Sequence, residues 1–281
     1  MRAKAQEQPI LVVGGTGKSG RRVAERLAAR DLPTRIAARS GKPPFDWADR
    51  STWPAVLQGV AAAYVTYYPD LAFPGASERV RAFADLAVAS DVQRLVLLSG
   101  RNEDGALLGE QAVRESGAEW TVVRSSMFNQ DFSEAFFLEP LVAGELTFPA
   151  GNIAEPFIDV DDIADIAVEA LTSDRHVGQL YEVTGPRLLT FSAAVAEIAE
   201  ASGRDLRYVP ISAEQFAAAM AAAGLPPEEV RDYTELFTTI LDGRSAYLAD
   251  GVQRALGRAP RDFADWARDV AATGVWDKRA A

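Results

Sequence analysis

Residues Val12 to Gly20 read VVGGTGKSG, and two incompatible motifs share that stretch. Its tail, Gly17-Lys18-Ser19, is the end of a phosphate loop. Its glycines, Gly14, Gly17 and Gly20, are the spaced glycines of a dinucleotide fingerprint. A phosphate loop needs one more glycine, and that position is held by Val12. Val12 lies inside the apolar run Ile10-Leu11-Val12-Val13, so the loop would be too short to wrap a triphosphate. The apolar run reads as a buried parallel strand ending in glycine. From Ser19 to Ala29, Val23 and Leu27 share one helical face while Arg21, Arg22, Glu25 and Arg26 lie elsewhere. Asp31, Leu32 and Pro33 break that helix, and Thr34 to Ala38 reads as a second strand. Strand, glycine turn, helix, strand is a βαβ unit, the setting a dinucleotide site requires.

Each glycine then has a task. Gly14 permits a tight turn, Gly17 lets the backbone approach a pyrophosphate, and Gly20 lets the helix pack closely on the sheet. Thr16, Lys18 and Ser19 complete the loop, whose free N–H groups and helix dipole favour negative charge. The second strand ends Ala37-Ala38-Arg39-Ser40-Gly41-Lys42. An NAD site usually has Asp or Glu here for the ribose 2′-hydroxyl. Instead Arg39 can pair with a 2′-phosphate, Ser40 can donate a further hydrogen bond, and Lys18 can approach the same group. The expected cofactor is NADP(H).

The alternation continues with strands at Ala61–Tyr67, Leu95–Ser99 and Trp120–Arg124, and helices at Glu78–Ala89 and Gly109–Ser116. This is the pattern of an α/β, Rossmann-type doubly wound parallel sheet. Beyond about residue 125 the loops lengthen. Pro156 to Leu171 reads as a strand and then a helix opened by acidic residues, Tyr181 to Gly185 as a strand, and Phe191 to Ser202 and Ala213 to Gly224 as helices. The expected organisation is an NADP(H)-binding domain over 1–150, rejoined by about 156–185, and a smaller, mostly helical substrate lobe over 186–281.

Composition limits the partners. With 29 basic against 40 acidic side chains, the net charge is −11. Binding to nucleic acid or to anionic lipid needs the opposite balance. There is no Cys and one His, so thiol chemistry, disulfides, Cys-based zinc sites and poly-His metal sites are excluded. No apolar run reaches the roughly 18 residues that span a bilayer. Met1 to Pro9 reads as a short polar tail without the apolar core of a signal peptide. A cytoplasmic monomer or homodimer with no metal is expected.

The chain also resembles the NmrA-like group of atypical short-chain dehydrogenases/reductases. The likeness runs through VVGGTGKSG, AARS (Ala37 to Ser40), RLVLLS (Arg94 to Ser99) and GEQAVRESGAEWTVVRSSMFN (Gly109 to Asn129). It continues through FIDVDDIA (Phe157 to Ala164), YEVTGP (Tyr181 to Pro186), GLPP (Gly224 to Pro227) and LGRAP (Leu256 to Pro260). The resemblance implies an NADP(H) domain with a small helical lobe. It implies adenine contacts from Asp46 and Trp47 after a short third strand, and ribose and nicotinamide contacts from Thr66, Tyr67 and Ser99. Ser125, Met127 and Phe128 should flank the nicotinamide, while Tyr68, Phe128, Asn129 and Phe132 should meet the substrate. Members of the group reduce quinones, enones, azo bonds or benzylic ethers, and others are sensors without catalysis.

The usual proton donors are missing. The lysines are Lys4, Lys18, Lys42 and Lys278, and none follows a Tyr by the Tyr-x-x-x-Lys spacing. Leu107 and Leu108 stand where the plant ether reductases would carry their lysine. Simple alcohol–ketone chemistry is therefore disfavoured. The expected reaction is hydride transfer to a flat conjugated acceptor such as a quinone or enone, which depends mainly on proximity and orientation. Ser99, Glu110 and Tyr67 are the candidate acids, Glu110 having a structural alternative as a helix-start carboxylate. The other readings are an NADP(H)-sensing regulator and a tailoring reductase of a polycyclic aromatic. His176 reads as structural, Asp161 and Asp162 as a helix start rather than a metal site, and Met220 as helix packing. Phe128, Phe132, Phe136 and Phe137 read equally as pocket lining or core.

Overall fold

Leu11, Val12 and Val13 have no exposed surface, because the strand they form lies inside a parallel sheet covered on both faces. The computed structural model describes residues 8–277. Most of the polar stretch Met1 to Pro9 lies outside the described residues. The backbone divides into two compact units. Among the described residues the first is 8–125 with 160–183 and 250–258, and the second is 126–159 with 184–249 and 259–277. The stretch 126–150 thus belongs with the second unit, whereas the sequence pattern grouped it with the first.

The first unit runs β1 (Ile10–Val13), α1 (Lys18–Ala28), β2 (Thr34–Ala37), α2 (Trp53–Leu57), β3 (Ala62–Val65), α3 (Ala76–Ala89), β4 (Arg94–Gly100), α4 (Asp104–Glu115) and β5 (Glu119–Ser125). It closes with α5 (Val160–Thr172), β6 (Gln179–Val183) and α6 (Gly251–Leu256). The strands form a six-stranded sheet in the order β2-β1-β3-β4-β5-β6. Every pair is parallel, so all carboxyl ends lie along one edge. The order reverses between β1 and β3, which is where open α/β sheets leave a crevice for ligands.

Two elements depart from the sequence pattern. No strand precedes Asp46. Its backbone N–H is taken by Thr52 Oγ1 at 3.0 Å and its carbonyl by Trp53 Nε1 at 2.8 Å, so local caps replace strand pairing. Helix α4 begins at Asp104 rather than Gly109. Gly105 and Gly109 look like helix breakers in sequence, but they are there for contact. A Cβ on Gly109 would press on Leu71, 2.8 Å away, and one on Gly105 would meet the Ala72 backbone. The close approach of the loop after β3 repays the usual helix cost of glycine.

The acidic opening of α5 is explained by neighbouring arginines. Arg26 on α1 reaches Asp161 at 2.7 Å and Asp165 at 2.6 Å, and Arg258 reaches Asp162 at 2.5 Å and Asp165 at 2.6 Å. Among the described residues no group of three His, Asp or Glu side chains is placed to hold a metal. His176 is buried against Tyr181, Nδ1 to Oη 2.8 Å. Burial first, and the adjacent Arg175 guanidinium second, hold its imidazole below the usual range.

The second unit is organised around aromatic rings. Phe132 packs against Phe137, Phe157, Phe191 and Phe263 at centroid distances of 5.0 to 6.0 Å. Trp276 donates from Nε1 to the Phe132 carbonyl at 2.8 Å. Short strands pair Glu145–Phe148 with Arg207–Pro210 and Ala154–Glu155 with Leu189–Thr190. The pattern had suggested a strand from Pro156, but only Ile158 of that segment makes a bridge, to Phe128. Met220 is buried on the helix Ala213–Ala222, as the alanine-rich pattern suggested.

Candidate functional site

The glycine loop forms a closed turn at the carboxyl end of β1. Gly17 N–H donates to the Gly14 carbonyl at 2.9 Å, and Gly14 has a φ of 69°, a region an L side chain seldom adopts. A Cβ on Gly14 would collide with Thr66 Oγ1, and one on Gly20 with the backbone of Gly14. Thr66 in turn donates to the Val13 carbonyl at 3.1 Å, tying the end of β3 to the loop. Gly17 caps α1 without a side-chain hydrogen bond, and the first turn of the helix carries no acid. An anion would be favoured at this helix start, and Thr16 and Gly17 lie exposed there. These features fit a bound pyrophosphate.

Arg39 and Ser40 are exposed at the end of β2, next along the same edge. The Arg39 guanidinium carbon lies 5.8 Å from the centre of the Tyr68 ring, itself 68% exposed. Tyr67 is half-buried. Its hydroxyl accepts from Arg79 at 3.0 Å and its ring lies 5.0 Å from Trp47. Trp47 does not face the edge. It is buried among Phe45, Trp53 and Phe83, and its Nε1 donates to the Thr66 carbonyl at 3.0 Å. The Asp46 carboxylate accepts from Ala48 N–H at 2.9 Å and shapes its own turn. Trp47 thus packs into the core beside this edge with its indole proton engaged, and Thr66 ties the ends of β1 and β3 together.

At the ends of β4 and β5 the structure revises two candidate acids. Glu110 is buried in the middle of α4, not at a helix start. Arg124 on β5 holds both its oxygens, Nε to Oε1 at 2.8 Å and Nη2 to Oε2 at 2.5 Å. Ser99, also buried, donates its hydroxyl to Glu110 Oε1 at 2.7 Å, and Ser125 Oγ donates to the Ser99 carbonyl at 3.2 Å. Both Glu110 oxygens are thus engaged by charge-assisted bonds from Arg124, and Oε1 also accepts from Ser99. Ser99 has its own proton engaged. Both belong to a polar brace between α4, β4 and β5.

One carboxyl at this edge was not singled out in the sequence. Glu103 lies in the short turn between β4 and α4, and its carboxyl rests against Gly100 where a Cβ would otherwise sit. Burial first, then the nearby Asp70 and Glu110 carboxylates, push Glu103 well above the usual carboxylate range. Its only sequence signal is its place just past the end of an apolar strand, which says nothing about what surrounds it.

The remaining candidates lie in the second unit. Met127 and Phe128 are half-buried, and the Phe128 N–H donates to Asp131 at 3.3 Å. Asn129 is fully buried with no hydrogen-bond partner at either amide atom. Phe132 is fully buried in the aromatic cluster, so it is core and lines no pocket. Phe137 is core as well, while Phe136 is 47% exposed and packs edge-on against Tyr233 at 5.3 Å.

No family model matches the chain. It is 32% identical over 285 residues to an uncharacterized oxidoreductase, YesF, from Bacillus subtilis (strain 168), across 96% of this chain and 99% of that protein. It is 32% identical over 290 residues to the NAD(P)H azoreductase of Xenophilus azovorans, across 94% and 98%. The chain is an NmrA-like oxidoreductase. The same fold is also seen in the NADPH complex of the Escherichia coli quinone oxidoreductase QOR2. That structure superposes with a TM-score of 0.76 over 93% of this chain and 99% of that one, at 19% identity. For this NmrA-like oxidoreductase the activity is NAD(P)H-dependent. No helix among its described residues is long and apolar enough to cross a membrane.

Proposed function

We propose that the chain is an NADPH-dependent reductase of a flat, conjugated small molecule, a quinone, enone or azo compound. The observation that carries the reading is the uncapped start of α1 beside Arg39 in a turn without acids. A pyrophosphate suits the helix start, and a 2′-phosphate suits Arg39 where a carboxylate would select NAD. The cofactor is NADP(H). The loop residues Thr16, Gly17, Lys18 and Ser19 hold the pyrophosphate. Arg39 and Ser40 hold the 2′-phosphate. Thr66 and Tyr67 support the central ribose, and the backbone near Ser99 and Ser125 borders the nicotinamide.

Bound NADPH supplies the hydride. The protein binds and orients the acceptor. Tyr68, exposed just past the end of β3, offers ring surface suited to a flat apolar molecule. The absence of Tyr-x-x-x-Lys points away from alcohols and toward electron-poor acceptors. The azoreductase name carried by a relative at 32% identity supports the same acceptor class. The test is NADPH oxidation by purified protein, followed by nicotinamide absorbance with quinones, enones and azo dyes. Turnover well above the protein-free rate is expected. NADPH binding without turnover of any of the three classes would refute the acceptor assignment.

A further inference from the structure

The reductase reading leaves one need unmet. Hydride addition puts an electron pair on an acceptor atom, and that pair must take a proton. Glu110 and Ser99 are engaged with Arg124 and with each other. The Tyr67 hydroxyl accepts from Arg79 at 3.0 Å, and its ring packs on Trp47. Glu103 is different. Its carboxyl makes no hydrogen bond among the described residues, and it lies at the carboxyl end of β4, on the far side of the β1/β3 switch from Arg39. If Arg39 reads the adenine-side phosphate over β2, the nicotinamide end of a dinucleotide laid across the switch falls over β3 and β4. Gly100 has ordinary extended-strand backbone and no conformational need to be glycine. Its missing side chain is the seat of the Glu103 carboxyl.

We propose that Glu103 is the proton donor of the reduction, delivering its carboxyl proton to the acceptor atom made anionic by hydride addition. This rests on the reductase reading. The balance is simple. A hydride from NADPH forms the new bond to one atom of the C=O, C=C or N=N group. The displaced π pair on the other atom takes the proton from Glu103, and the resulting carboxylate regains a proton from water through its partial exposure. The groups facing Glu103 explain why it holds a proton to give. Asp70 approaches from the loop after β3 and Glu110 from α4, and both are acids. Arg124 on β5 pairs with Glu110, and Arg101, just past the end of β4, pairs with Glu182 at 3.0 Å.

Glu103→Gln in the full chain tests this, since Gln keeps the shape and no ion pair is broken. The acceptors are an azo dye and a naphthoquinone. The expected result is unchanged NADPH affinity with kcat on the dye reduced about 100-fold or more. The quinone should suffer less, because its reduced anion is a weaker base and takes a proton from water. Wild-type kcat should fall at high pH as Glu103 ionises, and that limb should vanish in the variant. Thermal unfolding without nicotinamide gives an independent readout. A carboxyl raised by folding binds its proton more tightly in the native state, so wild-type stability falls as pH rises between the unfolded and folded values. Glu103→Gln should lack that fall. Wild-type turnover with an unchanged rate and pH profile in the variant overturns the assignment of Glu103 alone. Failure of wild type to turn over either acceptor overturns the reductase reading and this proposal with it.

Discussion

Replacing Arg39 by alanine should remove most of the preference for NADPH over NADH. Among the described residues Arg39 forms no ion pair, and its guanidinium lies 5.8 Å from the centre of the Tyr68 ring. At so exposed a site the fold loses about 0.5–1 kcal/mol with that contact, too little to unfold a domain. A charge-assisted bond to the 2′-phosphate is worth about 1.5–3 kcal/mol. At roughly 1.4 kcal/mol per tenfold, this is about 10- to 100-fold in kcat/KM for NADPH. Exposure and a Debye length of about 8 Å at physiological salt favour the lower end, and the loss should grow as salt is removed. NADH lacks the phosphate and should be unaffected. The assay is kcat/KM for both cofactors with a fixed acceptor at two ionic strengths. An unchanged NADPH/NADH ratio would refute the assignment. An equal loss with both cofactors would make Arg39 a structural residue.

Three further outcomes are expected. Gly20→Ala places a methyl against the Gly14 backbone, so the loop must shift. NADPH affinity by titration calorimetry should fall at least about tenfold, with about 1–3 kcal/mol lost in stability. Phe132→Ala should cost about 3–5 kcal/mol in urea unfolding, because the ring is wholly inside the aromatic cluster. A higher acceptor KM at unchanged stability would return it to the substrate site. Arg124→Met leaves the Glu110 carboxylate buried without its cation and should cost about 3–5 kcal/mol, part of it recovered by adding Glu110→Gln. No loss on the single substitution would mean the pair contributes little.

The parts legible in sequence share a short range. The glycine loop, β1 and α1 are specified by residues within a few positions of one another, so spacing alone reports them. Thr34 to Ala37 and the helix Phe191–Ser202 appear where their patterns place them. The failures are contacts between distant segments. Gly105 and Gly109 hid the start of α4, since the loop that needs their bare backbone arrives from the end of β3. Trp47 looked like a ligand residue until Phe83, from α3, took it into the core.

Sequence by itself determined the doubly wound parallel sheet, the glycine turn from β1 into α1, and the place of Arg39 just past the end of β2. These are local: a turn, a helix start and a strand end carry their chemistry in consecutive residues. Only the tertiary structure decided what surrounds each carboxyl at this end of the sheet. Glu103 and Glu110 are the same residue type at the same end of the sheet, and nothing in the sequence ranks them. Folding brings Arg124 and Ser99 to Glu110 and leaves Glu103 against Gly100 among acids. Ionisation depends on the field from every nearby group, and those groups come from strands and loops that only the fold assembles.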